Sequence, residues 1–182
     1  MMRHKERSGF TMLELMVVVT ILGILVAIAI PNFLACEVRA KVSSVHASQG
    51  MLSIALETYF DDHNTYPLNS EKGALQGKDL SVLTRPIAYF TSLPTDPFDT
   101  SDPRLRGRTL LGYLNYDQFP EALEGGEFLL EGQTLRPRYV LQSNGPDFEK
   151  DFSTGGKPWE ILLYDPTNGT TSKGDVCRLG PQ

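Results

Sequence analysis

Cysteine is scarce: Cys36 and Cys177 are the two in a chain of 182 residues. A small scaffold stapled by disulfides is therefore excluded, and an intrachain bridge between these two positions is not expected. Histidine is nearly as rare, with His4, His46 and His63 only. No H-E-x-x-H, G-x-S-x-G, phosphate-binding loop or Cys/His metal spacing is present, so nothing in the pattern supports an enzyme. Positive charge is in deficit, 17 Lys+Arg against 22 Asp+Glu for a net −5, which argues against direct nucleic-acid binding. The one small basic run, Arg104, Arg106 and Arg108, reads as a solvated loop ahead of an anion site. Long apolar runs are absent from everything after residue 34, which excludes a polytopic membrane protein.

What is present is one such run at the start. Between Leu15 and Ile30 there is no charge, and only Thr20 and Gly23 interrupt the aliphatics. From Phe10 to Leu34 there are 25 residues, enough to cross a hydrocarbon core that needs about 20 as helix. Ahead of it Arg3, Lys5 and Arg7 against Glu6 give a tip of +2, which holds that end in the cytoplasm. Three processing routes fit. A secretory signal would be cut behind Ala27-Ile28-Ala29; a lipoprotein signal would use Cys36 in Phe33-Leu34-Ala35-Cys36; a cut between Gly9 and Phe10 would lie in front of the apolar run.

The third route accounts for Glu14. A carboxylate inside a membrane segment costs on the order of 2–3 kcal/mol and calls for a partner. Cutting after Gly9 creates one, an α-amine with a reference pKa of about 8. Phe10 and Glu14 lie one helical turn apart on one face, so the amine of one subunit can pair with Glu14 of the next. The competing reading is a Glu14 solvated at headgroup level.

Ser8-Gly9-Phe10-Thr11-Met12-Leu13-Glu14-Leu15-Met16-Val17-Val18-Val19, followed by Ile21-Leu22-Gly23-Ile24-Leu25 and Pro31, resembles the class III signal of type IV pilins and type II secretion pseudopilins. The resemblance implies cleavage after Gly9 by prepilin peptidase, N-methylation of Phe10, and retention of the helix as anchor and filament core. It implies single-pass insertion in a bacterial inner membrane with a periplasmic C-terminal domain.

Beyond Pro31, which should kink the helix or loosen it locally, helical spacing continues. Leu34, Val38, Val42, Val45, Leu52, Leu56 and Tyr59 recur at intervals of three, four or seven and form one apolar stripe. Ser43, Ser44, Ser48 and Gln49 are expected on the other faces, with Arg39, Lys41 and Glu57 exposed. A helix from Phe10 to Phe60 is about 75 Å long and would outreach any globule of this size. The expected organisation is a leader at 1–9, a membrane or filament-core helix at 10–34, its amphipathic continuation at 35–60, and a soluble body at 61–182. In that body Asp79–Arg85 suits a short helix stopped before Pro86. Leu110–Tyr116, Glu127–Glu131, Arg138–Ser143 and Glu160–Asp165 suit strands. Turn-sized gaps favour an antiparallel sheet, and the fold class is α+β. Asn168-Gly169-Thr170 formally matches a glycosylation sequon, but Asn-Gly favours a tight turn.

The loop from Ser143 to Asp151 concentrates oxygen ligands. Ser143, Asp147 and Asp151 can supply part of the six- to eight-oxygen shell that Ca²⁺ prefers, although a solvated Asx-type turn needs the same residues. Tyr59…Asp62…Thr65-Tyr66-Pro67, Gly73-Ala74-Leu75, Leu93-Pro94-Thr95-Asp96-Pro97-Phe98 and Tyr139-Val140-Leu141-Gln142-Ser143-Asn144-Gly145-Pro146-Asp147 resemble the major pseudopilins of type II secretion systems. That resemblance implies a bound Ca²⁺ at Ser143, Asp147 and Asp151. It also implies a homopolymer that works with minor pseudopilins, prepilin peptidase and an inner-membrane assembly platform as a periplasmic fibre for protein secretion. Phe98-Asp99 departs from the family's Trp-Gly, and Thr100–Arg138 looks inserted. A type IV pilus pilin for adhesion, motility or DNA uptake remains the near alternative, and a non-polymerising membrane-anchored or lipidated binding domain the distant one.

Overall fold

The computed structural model describes residues 9–68, 77–99, 111–115, 128–130, 133–149, 151, 159–160 and 162–181. The leader up to Ser8, the Gly73-Ala74-Leu75 segment, the Arg104–Arg108 run and most of Thr100–Arg138 lie outside the described residues. The chain divides into two compact units, Met1–Glu37 and Val38–Gln182.

One helix, α1, runs Met12–His63 and carries Pro31 inside it. In the first unit its aliphatics stand open on every side: Leu13, Val17, Val18, Ile21, Leu25 and Ile28 are all exposed. A helix that is apolar all round needs lipid or other helices as its surroundings. It is the one described helix long and apolar enough to cross a membrane.

In the second unit the helix is one-sided. Val42, Val45, Gln49, Leu52, Ala55 and Leu56 are buried, while Met51 and Ile54 stay exposed. Leu52 and Leu56 are fully buried, each contributing about 1.5–3 kcal/mol relative to exposure. Three expectations for this stretch are corrected, the first being Lys41, which is half-buried rather than exposed. Gln49 belongs to the buried stripe, not to the outer faces: it is 0% exposed, because its amide finds backbone acceptors there. Its Nε2 donates to Val176 O at 2.6 Å and to Leu141 O at 3.5 Å. Glu57 is half-buried rather than exposed, since it accepts hydrogen bonds from Tyr66 and Tyr139, each at 3.0 Å.

The helix packs on a three-stranded sheet ordered β1-β4-β6, with β1 at Gly112–Asn115, β4 at Tyr139–Ser143 and β6 at Val176–Leu179. Both pairings are antiparallel, with Tyr113 opposite Leu141, and Leu141 in turn opposite Arg178. Central β4 is buried at all five positions. The core joins Leu52 and Leu56 to Tyr66, Leu80, Leu83, Phe98, Tyr113, Tyr139 and Leu141. Tyr139 bridges the layers, its phenol 2.8 Å from Ser53 Oγ, and burial first of all pushes that phenol up to about 12. The chain leaving α1 is pinned to β1: the Tyr113 hydroxyl and Asn115 Nδ2 both donate to Pro67 O at 2.9 Å.

A second sheet, ordered β3-β2-β5, is built from β2 at Phe128–Leu130, β3 at Gln133–Leu135 and β5 at Trp159–Glu160. Here β2 and β3 are antiparallel but β2 and β5 run parallel, so among the named strands the expectation of antiparallel pairing fails at the β2–β5 pair. The short helix forms as a 3₁₀ turn at Gly77–Leu83. Of the expected strand Glu160–Asp165, Glu160 closes β5 and Leu163 makes an isolated bridge with Asp175.

Candidate functional site

Gly9 and Phe10 precede the first turn of α1, and both are exposed. Thr11 and Glu14 then close on each other. The Thr11 backbone N–H and its hydroxyl each donate to Glu14 Oε2 at 2.8 Å, and Glu14 N–H donates to Thr11 Oγ1 at 3.2 Å. This is a capping box, in which two orphan N–H groups at a helix start are satisfied reciprocally. The T-x-x-E pattern that announces it, Thr11 to Glu14, stands in the sequence and adds Thr11 to the expected Glu14. The box occupies one carboxylate oxygen; Oε1 has no hydrogen-bond partner among the described residues.

Pro31 lies within α1, not at its end. Asn32 Nδ2 donates to Ile28 O at 3.1 Å in the same turn. Cys36 is exposed, Cys177 half-buried, and both are free thiols.

The second group of candidate residues lies where β4 ends. Backbone geometry brings the loop there against the start of β6. Gly145 has φ +76°, and a Cβ on it would meet Gly174 O; Gly174 has φ +122°, and a Cβ on it would run into the Leu163 backbone. Only glycine permits both the torsions and the approach. Phe148 also takes a positive φ, +62°, an uncommon state for a bulky side chain that tends to mark functional loops.

Within this loop the carboxylates of Asp147, Glu149 and Asp151 each present an oxygen within 4.8 Å of the others. Asp147 Oδ1 accepts Glu149 N–H at 3.2 Å, whereas Asp147 Oδ2 is buried without a hydrogen-bond partner among the described residues. Burial raises the Asp147 carboxyl above its ordinary value, and the charges of Asp151 and Glu149 add to the rise against the Glu149 N–H. Three converging carboxylates with one orphaned, buried oxygen suit a hard divalent cation with oxygen ligands. The structure thus groups the expected Asp147 and Asp151 with Glu149, which had not been singled out. Ser143 closes β4 and is buried, and its hydroxyl donates to Asp96 Oδ1 at 2.7 Å.

Two buried carboxylates hold this loop at its ends. Asp96 also accepts Phe98 N–H at 2.9 Å; burial raises its carboxyl, opposed by the Phe98 N–H, the Ser143 hydroxyl and the Asn144 N–H. Asp175 accepts Asp151 N–H at 3.2 Å on Oδ1 and Gln142 Nε2 on Oδ2. Neither was legible as a site residue, because each acts across a long stretch of chain.

The chain is similar to known proteins, both in its N-terminal segment and over much of its length. Residues 4–30 match the prokaryotic N-terminal methylation motif. The chain is 33% identical to the type II secretion system core protein G of Aeromonas hydrophila over 108 residues, covering 53% of this chain and 71% of that protein. It is 30% identical to the core protein G of Pseudomonas aeruginosa over 130 residues, covering 69% of this chain and 92% of the relative. Similarity to the type IV major pilin protein PilA of Myxococcus xanthus reaches 45% but spans 63 residues, 35% of this chain and 29% of the pilin. No solved structure matches the chain significantly. The chain belongs to the type II secretion system core protein G family, the major pseudopilins, whose members are structural subunits and not enzymes.

Proposed function

We propose that this subunit is cut between Gly9 and Phe10, N-methylated on Phe10, and polymerised through α1 into a periplasmic fibre of a type II secretion system. The observation that carries the reading is the apolar first unit of α1, open on all faces and matched to the methylation motif at residues 4–30. Before assembly that surface is covered by the inner membrane, with the C-terminal body in the periplasm; in the fibre it is covered by other copies and by minor pseudopilins. Prepilin peptidase would meet an exposed Gly9–Phe10 bond, and an inner-membrane platform would receive the mature helix.

Glu14 aligns successive subunits in this reading. Its Oε2 stays in the capping box with Thr11, and Oε1 accepts the new α-amine of a neighbouring Phe10. Pro31 leaves the carbonyl of Ala27 without its usual backbone donor, a point where the helix can bend as it passes from lipid to fibre. Asp147, Glu149 and Asp151 hold Ca²⁺, with Ser143, whose hydroxyl proton is given to Asp96, as a further oxygen donor. The ion offsets two of the three charges on these mutually repelling carboxylates and satisfies Asp147 Oδ2.

Intact-mass spectrometry of the mature protein should give a chain beginning at methylated Phe10. A chain beginning at Ile30, or a diacylglyceryl group on Cys36, would overturn the reading. Glu14→Ala should leave that mass change intact while fibre formation is lost. Calcium should raise the melting temperature of the detergent-solubilised chain. At a concentration a hundred times the Kd the linkage amounts to about 2.7 kcal/mol.

A further inference from the structure

The stretch that carries Asp151 and the start of β6 are tied to each other in both directions. Gly174 N–H donates to Asp151 Oδ2 at 2.7 Å, and Asp151 N–H donates to Asp175 Oδ1 at 3.2 Å. Asp175 is itself fixed. It is 0% exposed, its second oxygen takes Gln142 Nε2 from β4, and its backbone N–H and C=O bond Leu162 O at 2.8 Å and Tyr164 N at 3.0 Å. A fully buried carboxylate is costly to retain unless something requires it. Plain strand pairing of β6 with β4 does not, because the β4–β6 register runs from Val176 to Leu179 and begins one residue beyond it.

We propose that Asp175 is the positioning residue of the cation site: by accepting the Asp151 N–H it sets the Asp151 backbone so that one carboxylate oxygen is held by Gly174 and the other is presented to the ion beside Asp147 and Glu149. Asp175 is not among the three converging carboxylates, and both its oxygens already accept protein donors. It therefore acts through Asp151, not on the ion. Preset geometry of this kind, supplied from outside the ligand shell, sets affinity because the ligand does not have to be ordered when the ion arrives. The arrangement also makes ion binding report on the C-terminal strand, since Gly174 and Asp175 lead directly into β6.

This inference rests on the cation reading of the preceding section, and the test separates the two. The full chain, solubilised in detergent, is titrated with Tb³⁺ as a luminescent stand-in for Ca²⁺. The affinity is measured together with the excited-state lifetime in H₂O and D₂O, which counts waters bound directly to the ion. Wild type, Asp147→Ala, Asp175→Ala and Asp175→Asn are compared. With Asp175→Ala, affinity should fall at least ten-fold and the bound ion should gain about one water, the vacated place of Asp151. Asp175→Asn keeps an acceptor for Asp151 N–H once the Gln142 amide rotates to receive its NH₂. It should therefore show the wild-type water count even where the lost charge weakens binding.

A merely structural role for Asp175 would lower the melting temperature of the ion-free chain and leave the water count unchanged. That result, or a gain of water in Asp175→Asn equal to that in Asp175→Ala, overturns the proposal while leaving the site in place. If Asp175→Ala does not fold, Asp175→Leu, which fills the same space without an acceptor for Asp151 N–H, is read in its place against the same two outcomes. No saturable Tb³⁺ binding by wild type, or binding indifferent to Asp147→Ala, overturns the cation reading and this inference with it.

Discussion

Replacing Gln49 by glutamate turns a buried neutral donor into a titratable group facing acceptors. In the native helix Nε2 lies 2.6 Å from Val176 O and 3.5 Å from Leu141 O, in a side chain with 0% exposure. Glutamate of the same length can serve that geometry only when protonated, with its O–H aimed at Val176 O. Ionised, it places an unpaired charge against carbonyl oxygens. The folded-state pKa must then rise above the unfolded value of about 4.3. Buried glutamates reach about 8–9 at the extreme, so a rise of two to three units is a moderate expectation, equivalent to about 3–4 kcal/mol. The sign follows from proton binding. Below about pH 4 both states are protonated and the variant stands near wild type. As pH rises toward the folded pKa the unfolded chain releases its proton first, stability relative to wild type falls, and the deficit levels off above the folded pKa. For a chain of this size 3 kcal/mol is about 6–12 °C in Tm. Thermal melts of full-length wild type and Gln49→Glu in detergent, at pH 4.5 and pH 7.5, measure the difference between the two curves, which cancels the pH dependence they share. A difference that stays flat between those pH values would show that the Gln49 amide does not face the strand carbonyls, and the α1–sheet register derived from it would fail.

Tyr66 and Tyr139 both donate to Glu57, so Tyr139→Phe should cost about 1.5–3 kcal/mol as a lost hydrogen bond to a charged group. The double variant with Tyr66→Phe should depart from additivity by at least about 0.5 kcal/mol in a double-mutant cycle read by denaturant unfolding; strict additivity would show that the two phenols do not share one acceptor. Gly174→Ala places a Cβ 2.5 Å from the Leu163 backbone at φ +122°, and should destabilise by more than about 2 kcal/mol while weakening the proposed cation binding, because the shifted backbone moves the N–H that holds Asp151. A surface-neutral result for that variant would mean the loop and strand do not meet. Thr11→Val removes both hydroxyl contacts of the capping box and should reduce fibre yield without altering the processed mass, whereas Thr11→Ser should behave as wild type.

Much of the fold is legible along the chain because its signals are local. The long helix, expected over Phe10–Phe60, spans Met12–His63, and the strands expected around Leu110–Tyr116 and Arg138–Ser143 appear within a few residues as β1 and β4. What escapes is what depends on remote partners. Strand β6 is four residues, Val-Cys-Arg-Leu, of which Val176 alone is fully buried. Nothing nearby marks it until β4 supplies a ladder, so no strand is expected beyond Asp165. The parallel β2–β5 pair has the same origin, since its two strands are joined by no local turn. At the acidic loop the residue types suit a cation, but their grouping depends on remote partners and on how the chain turns. Ser143 is engaged by Asp96, a residue 47 positions away, and Glu149 converges with Asp147 and Asp151 because Phe148 turns through a positive φ.

Gln49 shows why a polar residue on an apolar stripe deserves a second count before it is assigned to solvent. Val38, Val42, Val45, Gln49, Leu52, Leu56 and Tyr59 step by four and three in strict alternation, so the heptad register places Gln49 inward whatever its polarity. Hydropathy alone moves it outward, and geometry wins because strand carbonyls receive its amide. One buried polar group in such a stripe also fixes register: sliding α1 by a turn would align Leu52 or Val45 with Val176 O and leave that carbonyl unpaired, at about 1–3 kcal/mol. Residues 13–30 of the same helix carry no equivalent. Their aliphatics cover every face and leave register unspecified by apolar packing, so in the proposed fibre the axial stagger is assigned to a polar contact. Glu14 is the one charged residue available in that stretch, and its capping box holds the carboxylate at the helix tip with one oxygen still to be paired.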